Sequence, residues 1–151
     1  MRIVRSRTQD SEVLSSIAFE AKRQWGYPEP WIQKWASTLT ITPAFIAEHP
    51  TFSAVEGPDV VGFCSLRMGL GEARIDHLWV RPASWGKGVG RALFRHAEAV
   101  ARAAGAGVLV IESDPNAEGF YLAMGAARVG RVPAPMDGVE RFLPQMEKGL
   151  A

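Results

Sequence analysis

The chain has 151 residues, 47% of them hydrophobic and 22% charged, and its 17 basic and 16 acidic side chains leave a formal charge of +1. This length predicts one domain, residues 1–151, with a single core. The near-neutral charge argues against a general nucleic-acid-binding surface, because such surfaces normally show a marked basic excess.

Cysteine content and hydropathy bear on the compartment. Cys64 is the single cysteine, so an internal disulfide framework is excluded, and no His or Cys residues have zinc spacing. No apolar run approaches the length of a membrane span, and the N-terminus lacks the apolar core of a signal peptide. We therefore expect a cytoplasmic protein with no metal site and with neither membrane nor nucleic-acid partners.

The first third of the chain predicts one strand followed by helices. Apolar residues at a 3–4 spacing predict an amphipathic helix that Asp10 or Ser11 caps and that Gly26 and Pro28 end. These apolar residues are Val13, Leu14, Ile17, Ala18 and Ala21. The predicted elements are a strand at residues 2–6 and helices at residues 11–25, 30–37 and 43–48, the last with Thr42 as its cap.

The rest of the chain alternates strands with helices. The turn Gly57-Pro58-Asp59 is typical of a hairpin, and Gly105 closes a long helical pattern. The predicted elements are strands at residues 51–56, 60–68 and 73–80, a helix at 89–104, a strand at 108–113, a helix at 115–124, and strands at 126–132 and 140–147. Because antiparallel meander and strand-helix-strand crossover both occur, the sequence predicts an α/β domain with a mixed sheet.

A glycine-rich segment lies between the strand predicted at residues 73–80 and the helix predicted at residues 89–104, and it predicts an anion site. Gly86, Gly88 and Gly90 alternate with Lys87 and Val89, so backbone N–H groups can approach a ligand where a Cβ would collide. The helix that follows would direct the positive end of its dipole at the same ligand. The favoured occupant is a pyrophosphate.

Other phosphate motifs fit this segment less well. A nucleotide-triphosphate loop needs G-x-x-x-x-G-K-[ST], which does not occur, and a dinucleotide fingerprint needs G-x-G-x-x-G near the start of the fold. Here the spacing is G-x-G-x-G, about halfway along the chain. The remaining alternative is that the glycines only form a tight strand-to-helix turn.

Residues 80–90, VRPASWGKGVG, resemble the acetyl-CoA motif of the GNAT acetyltransferase superfamily, [Q/R]-x-x-G-x-[G/A] after a strand that ends in Val. The resemblance extends over nearly the whole chain, with Trp85 where Gln or Arg is usual. It implies a sheet of six to seven mostly antiparallel strands with about four helices, and acetyl-CoA at a splayed parallel strand pair. The implied cofactor contacts in this part are Leu78, Trp79, Val80, Trp85, Gly86, Lys87, Gly88, Val89, Gly90 and Arg91.

Residues 114–121, DPNAEGFY, resemble a second GNAT motif, N-x-x-A-x-x-[F/L]-Y, which a Gly-Phe pair usually follows. Asp114 replaces the usual Asn, whose contact with the pantetheine arm would come from Asn116 or be missing, and Ala126 replaces the usual Phe. The implied cofactor contacts in this part are Asp114, Asn116, Phe120 and Tyr121. The longer string SDPNAEGFY is similar to a branch of small GNAT proteins whose substrates are poorly assigned.

Acetyl transfer from a thioester to an amine requires three roles: a base for the amine, donors for the tetrahedral oxyanion, and an acid for the leaving thiolate. The resemblance implies a backbone N–H near Val80 for the oxyanion and Tyr121 as the acid. The alternative for Tyr121 is an aromatic ring that only packs, with its hydroxyl bonded to a carbonyl.

Two neighbouring residues compete for the role of base. Strand alternation places Asp76 on the face of Val80 and His77 on the other face. Asp76 matches the position of an acidic or histidine base in many GNAT enzymes, and a carboxylate there without a neighbouring cation would have a raised pKa. The alternatives are a salt bridge from Asp76 to Arg74 or Arg81, and a core-packing role for His77. Glu20 and Glu112 are reserve candidates.

Aromatic residues near the first helix suggest an acceptor wall. Trp31 and Trp35 are four apart on a predicted helix, and we interpret them as core anchors and not as an aromatic cage. The resemblance makes Glu20, Trp25 and Tyr27 the substrate-binding candidates, because early helices wall the acceptor site in GNAT folds. His96 and Cys64 are expected to be packed residues.

The sequence therefore predicts an acetyl-CoA-dependent N-acetyltransferase that acts on a primary amine of a small molecule or peptide by direct attack in a ternary complex. The alternative is a catalytically silent acyl-CoA-binding sensor, which the changes at Asp114 and Trp85 favour. Tyr121 and the ionisable Asp76 favour the enzyme. The identity of the acceptor, the acyl chain preference and the oligomeric state are left open, with a homodimer among the assemblies compatible with the chain.

Overall fold

The computed structural model describes residues 1–151. Its strands are β1 (Arg2–Arg5), β2 (Thr51–Glu56), β3 (Asp59–Met68), β4 (Glu72–Val80), β5 (Val108–Glu112), β6 (Ala127–Pro133) and β7 (Phe142–Gly149). Its α-helices are α1 (Ser11–Gln24), α2 (Glu29–Lys34), α3 (Ala36–Leu39), α4 (Pro43–Glu48), α5 (Val89–Ala103) and α6 (Glu118–Ala123). None of these helices is long and apolar enough to span a bilayer.

The strands form one seven-stranded sheet in the order β1-β2-β3-β4-β5-β7-β6. β4 and β5 pair in parallel, with Glu72 opposite Val108. The pairs β1–β2, β2–β3, β5–β7 and β6–β7 are antiparallel. The resemblance implies a mixed, mostly antiparallel sheet of six to seven strands, and this part of the prediction is confirmed.

The helices differ from the prediction in number and in one cap. The helix predicted at residues 30–37 is two short helices, because Trp35 leaves the helical region with φ −89° and ψ 1° between α2 and α3. Asp10 does not cap α1 through its side chain. Its carboxylate instead accepts the Arg7 N–H at 2.8 Å and so closes the short 3-10 turn at Thr8–Asp10. Thr42 caps α4 as predicted, since its hydroxyl accepts the Phe45 N–H at 3.0 Å.

The chain divides into two compact units, one of Met1–Leu66 with His77–Ala97 and one of Arg67–Asp76 with Glu98–Ala151. In the first unit, the apolar stripe of α1 packs into a buried cluster with residues from the helices that follow and from β3. The cluster consists of Leu14, Ile17, Ala18, Ile32, Leu39, Ile41, Ile46 and Phe63. Tyr27, Trp35 and Trp79 pack against this cluster and are only partly buried. Aromatic side chains therefore line the edge of the core in this unit.

The second unit contains a buried ion pair. Lys148 Nζ lies 2.7 Å from Glu98 Oε2, and the Glu98 side chain is only 3% exposed. The same ammonium donates to the Met124 carbonyl at 2.8 Å, and Arg102 lies 3.5 Å from the carboxylate. The pair therefore ties α5 to β7 and to the end of α6.

Replacing Lys148 by methionine is expected to lower the free energy of unfolding by about 3 kcal/mol, because it leaves a buried carboxylate without its nearest cation. Urea unfolding measures the change. Arg128→Met is the matched control, since the Arg128–Glu118 pair is longer, at 3.7 Å, and more exposed, and such pairs contribute about 0–1 kcal/mol. Equal effects of the two substitutions would show that burial does not make the Lys148 pair important.

Candidate functional site

The glycine-rich loop leads from β4 into α5 through a 3-10 turn at Pro82–Ser84. Gly86 has φ +75° and Gly88 has φ +84°, and a Cβ built on either would meet no other heavy atom within 4 Å. The loop therefore requires glycine for its left-handed backbone. Steric crowding inside the protein, in contrast, does not explain either glycine.

The loop ends at the first turn of α5. The Ala92 N–H donates to the Gly88 carbonyl at 3.0 Å, so the amides just before Ala92 belong to the helix start and have no carbonyl partner within the helix. Such amides, together with the dipole of a 15-residue helix, favour an anion. Two left-handed glycines ahead of a helix start are compatible with a diphosphate, and the site over residues 85–91 stays a prediction.

Trp85 fastens the loop to the end of β4. Its indole N–H donates to the Val80 carbonyl at 2.7 Å, and its backbone N–H donates to the Pro82 carbonyl at 3.1 Å. The ring is 40% exposed. In place of the Gln or Arg that the motif usually carries, this chain uses an indole to hold the strand end and the loop together.

Side chains of β4 alternate as predicted until the strand ends. Ala73, Ile75 and His77 are buried, and Arg74 and Asp76 are half-buried. The last three residues, the predicted cofactor contacts Leu78, Trp79 and Val80, are all half-buried. Asp76 and His77 therefore point to opposite faces.

Asp76 has a cationic neighbour that the sequence analysis missed. Arg67 of β3 donates from Nε to Asp76 Oδ2 at 2.9 Å, and its Nη2 lies 2.8 Å from the same oxygen. The expected partners are engaged elsewhere: Arg74 with Glu112 and Arg81 with Glu20, each at 3.1 Å. Asp76 therefore has a neighbouring cation, contrary to the expectation. Arg67 and Asp76 flank the β3–β4 turn, and the hairpin pattern is the signal that could have paired them.

His77 lies in an apolar setting with one ring nitrogen engaged. The side chain is 9% exposed, and Nδ1 accepts the Trp79 indole N–H at 3.0 Å. The rings of Phe45 and Phe63 lie 5.6 and 6.0 Å away between centroids. A neutral imidazole whose Nδ1 accepts carries its proton on Nε2. His77 can therefore take up a proton only after the bond from Trp79 breaks.

The second motif forms a capped turn that leads into α6. Asp114 Oδ1 accepts the Asn116 N–H at 2.8 Å and the Asn116 side-chain amide at 3.0 Å. The carboxylate thus caps the 3-10 turn at Pro115–Ala117, a role that Asn can also fill. The replacement of Asn by Asp preserves this local structure.

Tyr121 lies on α6 and is 6% exposed. Its ring packs edge-on against Phe120 with centroids 5.1 Å apart. Its carbonyl accepts the N–H groups of Met124 and Ala126 at 3.1 and 3.0 Å, which closes the helix. These contacts hold the Tyr121 backbone and ring in place.

The acceptor-wall candidates lie at the end of α1, in an aromatic cluster. The ring of Trp25 lies 5.8 Å from Trp79 and 6.4 Å from Trp85, and the ring of Tyr27 lies 5.0 Å from Trp35. Glu20, the third candidate, pairs with Arg81, which also donates to the Val60 carbonyl.

The cluster surrounds an ammonium group, so Trp35, which packs against the core as predicted, also contacts a cation. Lys22 Nζ lies over the rings of Trp35 at 4.1 Å, Tyr27 at 5.0 Å, Trp25 at 5.9 Å and Trp79 at 6.0 Å. We call these four rings the aromatic box. Lys22 was missed, although its position three residues before Trp25 on a helix places the two side chains on one face.

The remaining reactive residues are in packed settings. Burial raises the pKa of the Cys64 thiol to about 12, so the thiol is protonated at neutral pH and unsuited to carry an acyl group. Burial lowers the pKa of His96, whose ring packs against Phe52 with centroids 4.4 Å apart.

Comparisons with known proteins identify the family and the fold of the chain. The model of the Acetyltransferase (GNAT) family matches residues 14–126, well over half of the chain. A GCN5-related N-acetyltransferase from Rhodopseudomonas palustris has a similar structure, with a TM-score of 0.81, 25% identity, and coverage of 98% of this chain and 94% of that one.

Two further solved structures share the fold. The paia N-acetyltransferase from Thermoplasma acidophilum, in complex with coenzyme A, has a TM-score of 0.76 and 20% identity, with 98% of each chain covered. The ribosomal-protein-S18-alanine N-acetyltransferase from Escherichia coli has a TM-score of 0.75 and 19% identity, with 99% of this chain and 94% of that one covered. With its glycine loop, its mixed sheet and the family match over residues 14–126, the chain belongs to the GNAT acetyltransferase family and is an acyltransferase.

Proposed function

We propose that this chain is an acetyl-CoA-dependent N-acetyltransferase that acts on a primary amine of a small molecule or peptide. The loop at the start of α5 is the observation that carries the proposal, because Gly86 and Gly88 adopt left-handed backbone directly before a helix start. The pyrophosphate of acetyl-CoA would bind there. A protein with the same fold, the paia N-acetyltransferase, was solved with coenzyme A, which supports the same donor.

The reaction joins two substrates in a ternary complex. The amine nitrogen attacks the thioester carbonyl, the N–C bond forms, the C–S bond breaks, and the amine loses a proton while the thiolate gains one. A backbone N–H near Val80 would stabilise the tetrahedral oxyanion. The Trp85 bond to the Val80 carbonyl limits the freedom of that strand end, and fixed donors stabilise developing charge best. Tyr121 would protonate the thiolate.

Asp76 remains our choice for the base. Arg67 fixes the orientation of this carboxylate through its contacts with Oδ2. His77 is the alternative base, but its Nδ1 accepts the Trp79 N–H. A carboxylate has lone pairs beyond those on Oδ2 that Arg67 contacts, so it can bind a water or the amine itself.

Asp76→Asn is expected to lower turnover at least tenfold with acetyl-CoA affinity unchanged, in line with the loss of one positioned base. His77→Gln, its neighbour on the opposite face, is the matched control and should mainly lower stability. Rates, calorimetric affinity and melting temperature are measured for both variants. A fully active Asp76→Asn beside an inactive but folded and cofactor-binding His77→Gln would reverse the assignment.

A catalytically silent acyl-CoA-binding sensor is the second candidate. The observation in its favour is that both candidate bases are engaged, Asp76 by Arg67 and His77 by Trp79. A screen of amines and peptides for CoA release, run beside a calorimetric titration with acetyl-CoA, separates the two functions. Turnover of any amine supports the enzyme, and binding without turnover across the screen supports the sensor.

The proposal includes the setting of the enzyme. The proposed location is the cytoplasm, and no nucleic-acid partner is proposed. The assembly is either a monomer or a homodimer. Size-exclusion chromatography with light scattering decides the last point, because a monomer has a mass of 16.5 kDa.

A further inference from the structure

The aromatic box has the geometry of a cation-binding site. The rings of Trp25, Tyr27, Trp35 and Trp79 all have centroids within 4.1 to 6.0 Å of a single ammonium nitrogen, Nζ of Lys22. A cation attracts the negative face of an aromatic ring at centroid distances up to about 6 Å. Rings that converge in this way on one point therefore discriminate in favour of an ammonium group.

The box consists of four rings that are held by contacts with their neighbours and of one lysine on a long side chain. Trp79 is held by its N–H bond to His77, Trp25 packs on Trp79 and Trp85, and Trp35 packs edge-on against Tyr27 and Trp31. All four rings are half-buried, as is Lys22. Lys22 reaches the box on a flexible four-carbon stem, so its ammonium can leave while the rings stay in place.

The position of the box connects it to the reaction. Trp79 precedes Val80, whose backbone is the proposed oxyanion donor, and Trp25 and Tyr27 are the acceptor-wall candidates. Aromatic faces stabilise the charged form of an amine, which opposes the deprotonation that a reacting amine must undergo. The box therefore suits a cationic group of the acceptor that does not react.

We propose that the aromatic box binds a second cationic nitrogen of the acceptor, and that Lys22 occupies this position until the acceptor displaces it. The acceptor class is then an alkylamine that carries a further ammonium group, such as a diamine. The acceptor class in this inference rests on the proposed function, whereas the cation site itself does not depend on that function. Lys22 competes with the acceptor and raises its apparent dissociation constant.

The first test measures cation binding and needs no turnover. Tetramethylammonium is titrated into the full chain while the ¹⁵N indole resonances of the tryptophans are followed. Lys22→Gln is expected to bind tetramethylammonium about tenfold more tightly than the unsubstituted chain does, because the competing ammonium is gone. The indole resonances of Trp25, Trp35 and Trp79 should shift on binding. Lys22→Met, which keeps an apolar stem, replaces this variant if Lys22→Gln does not fold.

Arg23→Gln is the matched control. It removes one positive charge from the next position of α1, but the Arg23 guanidinium lies over Phe19 and pairs with Glu29. Its tetramethylammonium affinity should equal that of the unsubstituted chain. An equal gain in tetramethylammonium affinity in Arg23→Gln and Lys22→Gln would show that the effect comes only from the loss of one positive charge. No gain in either Lys22 variant would show that Lys22 does not occupy a cation site. Either result overturns the proposal.

The second test uses turnover. 1,5-Diaminopentane is expected to have a lower KM than pentylamine, and Lys22→Gln should lower the KM for the diamine about tenfold while leaving that for pentylamine unchanged. A diamine KM that rises in Lys22→Gln would mean that Lys22 itself contacts the acceptor, and the proposal would be wrong. Tetramethylammonium binding without turnover of any amine would support the cation site and count only against the proposed N-acetyltransferase function. Failure of the cation site can therefore be distinguished from failure of the proposed function.

Discussion

Gly88→Val is expected to abolish acetyl-CoA binding. Gly88 has φ +84°, and a β-branched residue in that region is a conformational outlier. The loop must then either adopt another backbone or project two methyl groups from the surface where the pyrophosphate would lie. Lys87→Ala should weaken binding much less, because backbone amides carry the site and Lys87 adds one exposed charge. Calorimetric titration with acetyl-CoA measures both.

Gly105→Val is the matched control for backbone strain. Gly105 has φ +88° and equally open surroundings, but it follows the opposite end of α5. The two valine variants should lose similar stability in thermal unfolding, and only Gly88→Val should lose acetyl-CoA. Unchanged affinity in a folded Gly88→Val protein would contradict the pyrophosphate site.

The order and type of the elements could be predicted because each depends on local periodicity. The strand β3 and the helix α5 have apolar spacings that hold for nine residues or more, and the structure has both, at Asp59–Met68 and Val89–Ala103. Element ends were less accessible. β7 was predicted at 140–147 but runs to Gly149, because Gly149 pairs with Val108 of β5. That partner lies 41 positions earlier in the chain, and no local pattern reports it.

Two glycines show the same limit. Gly62 interrupts the apolar pattern of β3 without a turn, and the sequence analysis treated it as ordinary strand. In the structure, a Cβ on Gly62 would lie 2.9 Å from the Trp79 carbonyl and 3.2 Å from Leu93 Cδ1, so glycine permits a close approach there. Gly125, the residue before Ala126, has φ +96° and would place a Cβ 3.2 Å from Lys148 Cε. Only tertiary structure supplies these reasons.

The sequence predicted which residues belong to the candidate site, but it did not predict which side chains they contact. Alternation along β4 correctly separated the faces of Asp76 and His77, because period two is a property of any strand. The cation beside Asp76 is Arg67, and the donor to His77 is Trp79. The first depends on pairing between strands, and the second on the rotation of an indole at a strand end. Neither follows from the identity of the residues.

The aromatic box is the clearest omission. Trp31 and Trp35 are four positions apart, which is typical of a helix face, and this spacing predicts core packing. The point of convergence is a lysine, Lys22, and the fourth ring, Trp79, comes from β4. A helix and a strand far apart in the chain must pack before the four rings share one cation.

Tyr121→Phe is expected to lower turnover by about ten to a thousandfold and to leave acetyl-CoA affinity nearly unchanged, in line with the loss of one positioned proton donor. The substitution removes only the hydroxyl. The ring contact with Phe120 and the bonds from Met124 and Ala126 to the Tyr121 carbonyl do not involve it. The helix α6 should therefore keep its structure, and the change should fall on the rate.

The measurements are kcat with an acceptor found in the amine screen, acetyl-CoA affinity and melting temperature. Leu122→Ala is the control, because Leu122 is the next residue of α6 and is 50% exposed, so its truncation should change none of the three. A hydroxyl that only packs would lower the melting temperature of Tyr121→Phe and spare kcat, since Tyr121 is buried and a lost buried hydrogen bond costs about 1 kcal/mol. A wild-type rate in Tyr121→Phe would remove Tyr121 from the mechanism, and the thiolate would then have to leave unprotonated or take its proton from water.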